Sequence, residues 1–148
     1  MSYEPAHDPH RLAVATHELG HFIVWSALPG VHIEHVRVWG RGLATEGRVR
    51  VRWPKGDTEV IVRGYLVGLL AGREADRIHH DRPDAPRYRE GGCAADMATF
   101  RRVRRQHEPS RLIPEAELRT EAARLIRANW ARIERLALQL AARGHIAP

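Results

Sequence analysis

Five residues near the N-terminus have the types and spacing of a metal-dependent hydrolase: His17-Glu18-Leu19-Gly20-His21. Residues four apart on a helix share a face, so an H-E-x-x-H run brings two imidazoles onto one cation. Glu18 projects from an adjoining position. Zinc in such a site lowers the pKa of a bound water to about 7, and a neighbouring carboxylate then takes its proton to leave a hydroxide nucleophile near neutral pH. The run therefore proposes Zn2+ as cofactor, hydrolysis as reaction, His17 and His21 as ligands and Glu18 as general base.

These side chains need a helix. Asp8-Pro9 reads as an N-cap followed by proline at the first helical position. Leu12, Ala13, Val14, Phe22, Ile23, Val24 and Leu28 supply apolar residues around the motif, and Pro29-Gly30 ends the segment, for a helix of about five turns. Val31 to Trp39 is β-like, and Gly40-Arg41-Gly42 marks a turn. Val49, Val51 and Trp53 then alternate with Arg48, Arg50 and Arg52, the period of a half-buried strand with an arginine face. Asp57 is placed to cap a helix over about Thr58 to His80, so apolar on most sides (Val60, Ile61, Val62, Leu66, Val67, Leu69 and Leu70) that it belongs in the core. Residues 81–92 read as a loop, and a helix follows from about Cys93 to Gln106. A last helix after Pro114 carries Leu118, Ala122, Leu125, Ile126, Ile133, Leu136, Ala137 and Leu140, with Gly144 as C-cap. The expected fold is α+β, mainly α: the motif helix, a small antiparallel sheet, a buried second helix and a C-terminal helical pair.

At 148 residues the chain suits one domain over 1–148 and can bury a core. No apolar run approaches the ~20 residues needed to span a bilayer. Met1 to His10 lacks the apolar centre of a signal peptide, and the single Cys93 excludes an internal disulfide and a cysteine-rich metal site. The expectation is a cytoplasmic protein. The net charge is +6, with Lys55 the only lysine. Arginine clusters at 48/50/52 and 101/102/104/105 suit phosphate contacts, yet solvated strand and helix faces are the favoured reading over a nucleic-acid footprint. If the strand arginines bordered a substrate cleft they would favour acidic substrates.

A catalytic zinc takes three protein ligands and keeps a fourth position open. Asp96, in the first turn of a predicted helix after Gly91-Gly92, is one candidate for the third. Glu74 and Asp76 compete from the apolar helix, where a charge needs a partner that a metal, Arg73 or Arg77 could provide. His79 and His80 read as surface residues, His32 and His35 as at most a rim, and Cys93 as a buried thiol rather than a ligand. Spacing alone does not choose between Asp96 and Glu74.

The run His17 to His21, Leu28-Pro29-Gly30, and Val36 to Gly42 resembles the peptidase domain of the FtsH family of membrane-bound, ATP-dependent zinc proteases, whose motif is H-E-A-G-H. Leu70-Ala71-Gly72-Arg73-Glu74-Ala75-Asp76 is similar to that family's L-G-G-R-A-A-E, and Gly91-Gly92-Cys93-Ala94-Ala95-Asp96 to its T-G-A-x-N-D, with Met97-Ala98-Thr99 continuing the match. The resemblance covers nearly the whole chain in the same order. It implies a zincin-like metalloendopeptidase with His17, His21 and Asp96 as zinc ligands and Glu18 as base. Asp76 aligns with the family's closing glutamate, which implies a second group that orients a ligand histidine. The chain departs from the family in having no Walker motif and no transmembrane segment, in Gly91 and Ala95 where the family has Thr and Asn, and around Thr45 to Gly47. The implied enzyme is therefore ATP-independent and acts on flexible or unfolded polypeptide, unless a separate unfoldase or dedicated partner delivers the substrate. The family forms rings largely through parts this chain lacks, which leaves the oligomeric state open.

Two rivals stand beside this reading. An ImmA/IrrE-like zinc peptidase acting on one specific protein shares H-E-L-G-H but does not account for Gly91 to Thr99. A non-catalytic, zinc-containing, arginine-rich module that binds nucleic acid or protein would be expected to close its metal with four protein ligands.

Overall fold

The computed structural model describes residues 2–56, 58–81 and 90–147, without the side chains of 90–92. Among them, α1 (Pro9–Trp25), β1 (His32–Trp39), β2 (Glu46–Arg52), α2 (Glu59–His80), α3 (Glu90–Gln106), the single turn α4 (Glu108–Arg111), α5 (Glu115–Ala128), α6 (Trp130–Arg143) and β3 (His145–Ile146) follow in order. The architecture is the expected mainly helical α+β arrangement, with a three-stranded antiparallel sheet of order β2-β1-β3.

Helix α1 begins where the sequence places it. The Asp8 carboxylate accepts from the backbone N–H groups of His10 (2.9 Å) and Arg11 (3.3 Å), satisfying donors that the first turn leaves free, and Pro9 supplies a preset φ. The same carboxylate accepts from Tyr3 Oη (2.7 Å) and Gly42 N (2.8 Å), which ties the N-terminal segment and the β1–β2 turn to the motif helix. Burial works to raise the Asp8 pKa, but these donors outweigh it and hold the carboxyl below its ordinary value. Arg11, also buried, donates to Ala141 O (2.9 Å) and Gly40 O (2.7 Å), joining α1 to the end of α6 and to the same turn.

The sheet obeys the alternation read from β2. Gly47, Val49 and Val51 are half-buried, whereas Arg48, Arg50 and Arg52 are exposed. In β1 the register shifts between Ile33 and His35, so a bulge at Glu34 lets Ile33 and Val36 both face inward with Val38. Strand β3 was not expected. It pairs Ile146 with Val36 and His145 with Arg37, and two residues are too few to show a period.

The core lies between the sheet and the helices. Helices α1 and α2 make the largest helix–helix contact; α5 packs on α2 and α6 on α1. Leu118, Ala122 and Ile126 of α5 and Ile133, Ala137 and Leu140 of α6 are all fully buried at helical spacing. The expected single last helix is in fact two. Asn129, at φ −111° and ψ 12°, breaks it, its backbone N–H and side-chain Nδ2 both returning to Leu125 O. The break lets each half turn its stripe onto a different partner helix. Three further expectations change. Helix α3 begins at Glu90, not Cys93. Thr58 caps α2 by accepting from Ile61 N (3.3 Å), while Asp57 lies outside the described residues, as does 82–89 of the expected loop. His79 is buried, 5% exposed, because it shares a face with the buried Ala75 one turn earlier; His80 is exposed, as expected. Among the described residues no helix is long and apolar enough to cross a membrane.

Candidate metal centre

Helix α1 presents His17, Glu18 and His21 toward α2, α3 and the edge strand β2. The approach is close because small residues line α2. Gly64, Gly68 and Gly72 recur every fourth residue, and a Cβ on each would overlap Leu28, Trp25 and the two histidines respectively. At Gly72 that Cβ would lie 2.5 Å from His21 Cε1, 2.7 Å from His21 Nε2 and 3.0 Å from His17 Cε1. On α1 itself, a Cβ at Gly20 would lie 2.7 Å from the Ala71 carbonyl oxygen. The helices therefore meet nearly backbone to backbone, and this places the His21 ring against the carbonyl of Gly68.

Each ring has its outward nitrogen committed. His21 Nδ1 donates to Gly68 O at 2.7 Å, and its ring stacks on Trp25 with centroids 4.8 Å apart. His17 Nδ1 is 2.7 Å from Asp76 Oδ2. Both Nε2 atoms then face one another at 3.1 Å, and Asp96 Oδ2 lies 3.1 Å from His17 Nε2 and 3.2 Å from His21 Nε2. Three donors on a common ion at about 2.0–2.2 Å in a tetrahedron are about 3.4 Å apart, so this triangle fits one small cation with little expansion. A carboxylate–histidine pair behind a ligand is the usual way of fixing which nitrogen carries the lone pair. The residues present fit a divalent metal.

The same groups perturb one another in the metal-free chain. Burial alone would depress His17, but the charge of Asp76 and hydrogen bonds to Asp76, Asp96 and Cys93 reverse this and lift its pKa well above 6.5. Burial would raise Asp96, yet hydrogen bonds from His17 and His21 and their charges hold it well below the usual carboxylate range. Glu18 is raised, mainly by burial; His21 and His17 oppose the shift, and Asp96 and Asp76 add to it. Glu18 makes no hydrogen bond or ion pair with another described side chain and is half-buried beside the histidines. On its other side is β2, where a Cβ at Gly47 would come within 2.7 Å of Glu18 Cγ and 3.2 Å of Oε1. Among the described residues β2 pairs only with β1, so its other edge has no strand partner there.

The candidates of the sequence thus separate. His17, His21 and Asp96 form one group able to hold a metal, and His17, Asp76 and Cys93 form another. Glu74 belongs to neither; it pairs with Arg77 at 3.2 Å, one of the two partners its burial called for. Cys93 is buried and donates to Asp76 Oδ2 at 3.0 Å. The β2 arginines point away from Glu18, because Gly47, between Glu46 and Arg48, is the inward residue; Arg50 and Arg52 pair with Glu34 on the solvent side. Sequence reasoning overlooked the Gly68 carbonyl, the Trp25 stack and the Gly72 cradle. The four-residue glycine spacing in α2 was the signal for all three. No family model matches the chain, and no curated protein matches it.

Proposed function

We propose that the chain is a zinc-dependent metalloendopeptidase that hydrolyses peptide bonds in extended or unfolded polypeptide, similar to the FtsH-type peptidase domain. One observation carries the reading: a half-buried Glu18, with no side-chain partner among the described residues, lies beside a three-donor metal group and against Gly47 of the edge strand β2. His17, His21 and Asp96 would hold the ion, with Asp76 Oδ2 and Gly68 O keeping each histidine lone pair directed at it. Zinc bound there would act as the Lewis acid that acidifies water and polarises the scissile carbonyl.

The protein's own groups do the rest. An extended substrate strand pairs with the free backbone groups of β2, which holds its carbonyls at fixed spacing past Gly47. The absence of a side chain at Gly47 leaves Glu18 room against the strand. The Glu18 carboxylate takes a proton from the attacking water at Oε1 or Oε2 and returns it to the departing amine nitrogen, so the peptide C–N bond breaks with the proton balanced. A folded substrate cannot present such a strand, which restricts cleavage to flexible chain.

The test is digestion of a permanently unfolded polypeptide, with products mapped by mass spectrometry. Cleavage is expected with zinc, lost on chelation and restored by zinc. Cleavage that persists after complete metal removal refutes the proposal, as does a zinc-loaded protein that binds nucleic acid in a salt-dependent way and cuts nothing.

A further inference from the structure

His17 stands between two sets of donors. Its Nε2 faces His21 and Asp96, whereas its Nδ1 faces Asp76 Oδ2 at 2.7 Å, which in turn is 3.0 Å from Cys93 Sγ. Cys93 and Asp96 are one turn apart on α3, so this helix delivers a sulfur to one side of the ring and an oxygen to the other. The donor atoms of His17, Asp76 and Cys93 lie within 4.8 Å of one another, and the thiol is 6% exposed, away from bulk water. The two sets differ in character. The first is nitrogen and oxygen only, and the second contains sulfur, the donor that favours soft cations over hard ones.

We propose that His17, Asp76 and Cys93 form a second cation position for soft divalent ions of the Cd2+ type, and that sharing His17 makes it alternative to the first rather than additional. The proposal rests on the metal reading of the first group. A neutral imidazole carries one proton and one lone pair. With Nε2 on the first ion, the ring proton is on Nδ1 and is donated to Asp76. A cation between Asp76 and Cys93 takes the Nδ1 lone pair instead. The ring proton then lies on Nε2, where Asp96 Oδ2 at 3.1 Å accepts it, and the thiol proton leaves to solvent as the sulfur ligates. The first ion loses His17 outright and finds Asp96 engaged by an N–H. Filling both positions at once would require an imidazolate, from which the one remaining ring N–H proton has been removed. A thiophilic metal would therefore switch the hydrolytic centre off by taking one of its ligands, without entering it.

The experiment titrates the zinc-loaded full-length chain with Cd2+. Thiolate-to-cadmium charge-transfer absorption reports the sulfur ligand, and native mass spectrometry counts both metals per chain. The band should grow in step with a one-for-one exchange of Zn2+ for Cd2+. In Cys93→Ser the band should vanish, and about tenfold or more Cd2+ should be needed to displace zinc, the scale set by losing one member of a metal shell. A species carrying one Zn2+ and one Cd2+ overturns the alternation. Displacement of zinc without a thiolate band in the parent, a readout that needs no variant to fold, overturns the second position. A parent that binds no zinc refutes the first metal group instead, and the cadmium band still decides the second.

Discussion

Gly72→Ala places one methyl group where α2 faces the two candidate ligands. The new Cβ would stand 2.5 Å from His21 Cε1, whereas ordinary contact begins near 3.4 Å, so roughly 0.9 Å must be made up. His21 cannot simply retreat. Its ring is stacked on Trp25 at 4.8 Å and its Nδ1 is held by Gly68 O at 2.7 Å. Ligand positions in a working site tolerate displacements of about 0.5 Å, so the shift is nearly twice what the metal group can absorb. Zinc affinity should fall by about 10–100-fold, the range for disturbing a ligand's support. The fold should suffer less. Overpacking of this kind costs about 1–3 kcal/mol, and replacing glycine with alanine inside a helix returns up to about 1 kcal/mol. Competition with a chromophoric chelator measures the affinity, and denaturant unfolding of the metal-free protein measures the stability. A variant about 1 kcal/mol more stable than the parent with unchanged zinc affinity would show that the space beside His21 is empty and the cradle argument mistaken.

Four other outcomes follow from the same geometry. Asp96→Ala should lower zinc affinity by more than the roughly 10–100-fold typical of an outer-shell loss, whereas Glu74→Ala, which only frees Arg77, should leave it unchanged in the same chelator competition. In the metal-free protein His17 is raised above its unfolded value of 6.5, so its charge stabilises the fold below that pH and the contribution is lost as pH rises through the raised value; Asp76→Asn should therefore lower the melting temperature most near about pH 6 and progressively less toward alkaline pH. Asp8→Ala removes an N-cap and leaves Tyr3 and Gly42 without their acceptor, and should cost about 1–2 kcal/mol in denaturant unfolding. Gly20→Ala drives a methyl group against the backbone oxygen of Ala71 at 2.7 Å and should destabilise by about 1–3 kcal/mol, read by the same unfolding curves; a neutral result would mean that α1 and α2 can separate freely.

Local chemistry made much of this legible in the sequence. Asp8-Pro9 specifies a helix start by hydrogen bonding within four residues, and the arginine alternation in β2 specifies a buried and an exposed face without reference to any other element. The site was legible where spacing along one helix decides it, at His17, Glu18 and His21. Asp96 and Asp76 come from α3 and α2, and no local rule places them; only the ordered resemblance to a known peptidase domain put Asp96 ahead of Glu74. The misses share a cause. Asn129 breaks an apolar pattern that is continuous in the sequence, because α5 and α6 pack on different helices. His79 is buried by tertiary packing on an otherwise charged helix end. The glycines of α2 look like weak helix formers until the rings they admit are seen.

The central claim, that Glu18 is the base of a metal-dependent peptidase, is tested most directly by the cleavage rate of Glu18→Gln on an unfolded polypeptide at zinc content matched to the parent. The amide keeps the shape but cannot take a proton, so the rate should fall by about 10²–10⁴-fold with zinc retained. A fully zinc-loaded variant that cleaves as fast as the parent would contradict the account.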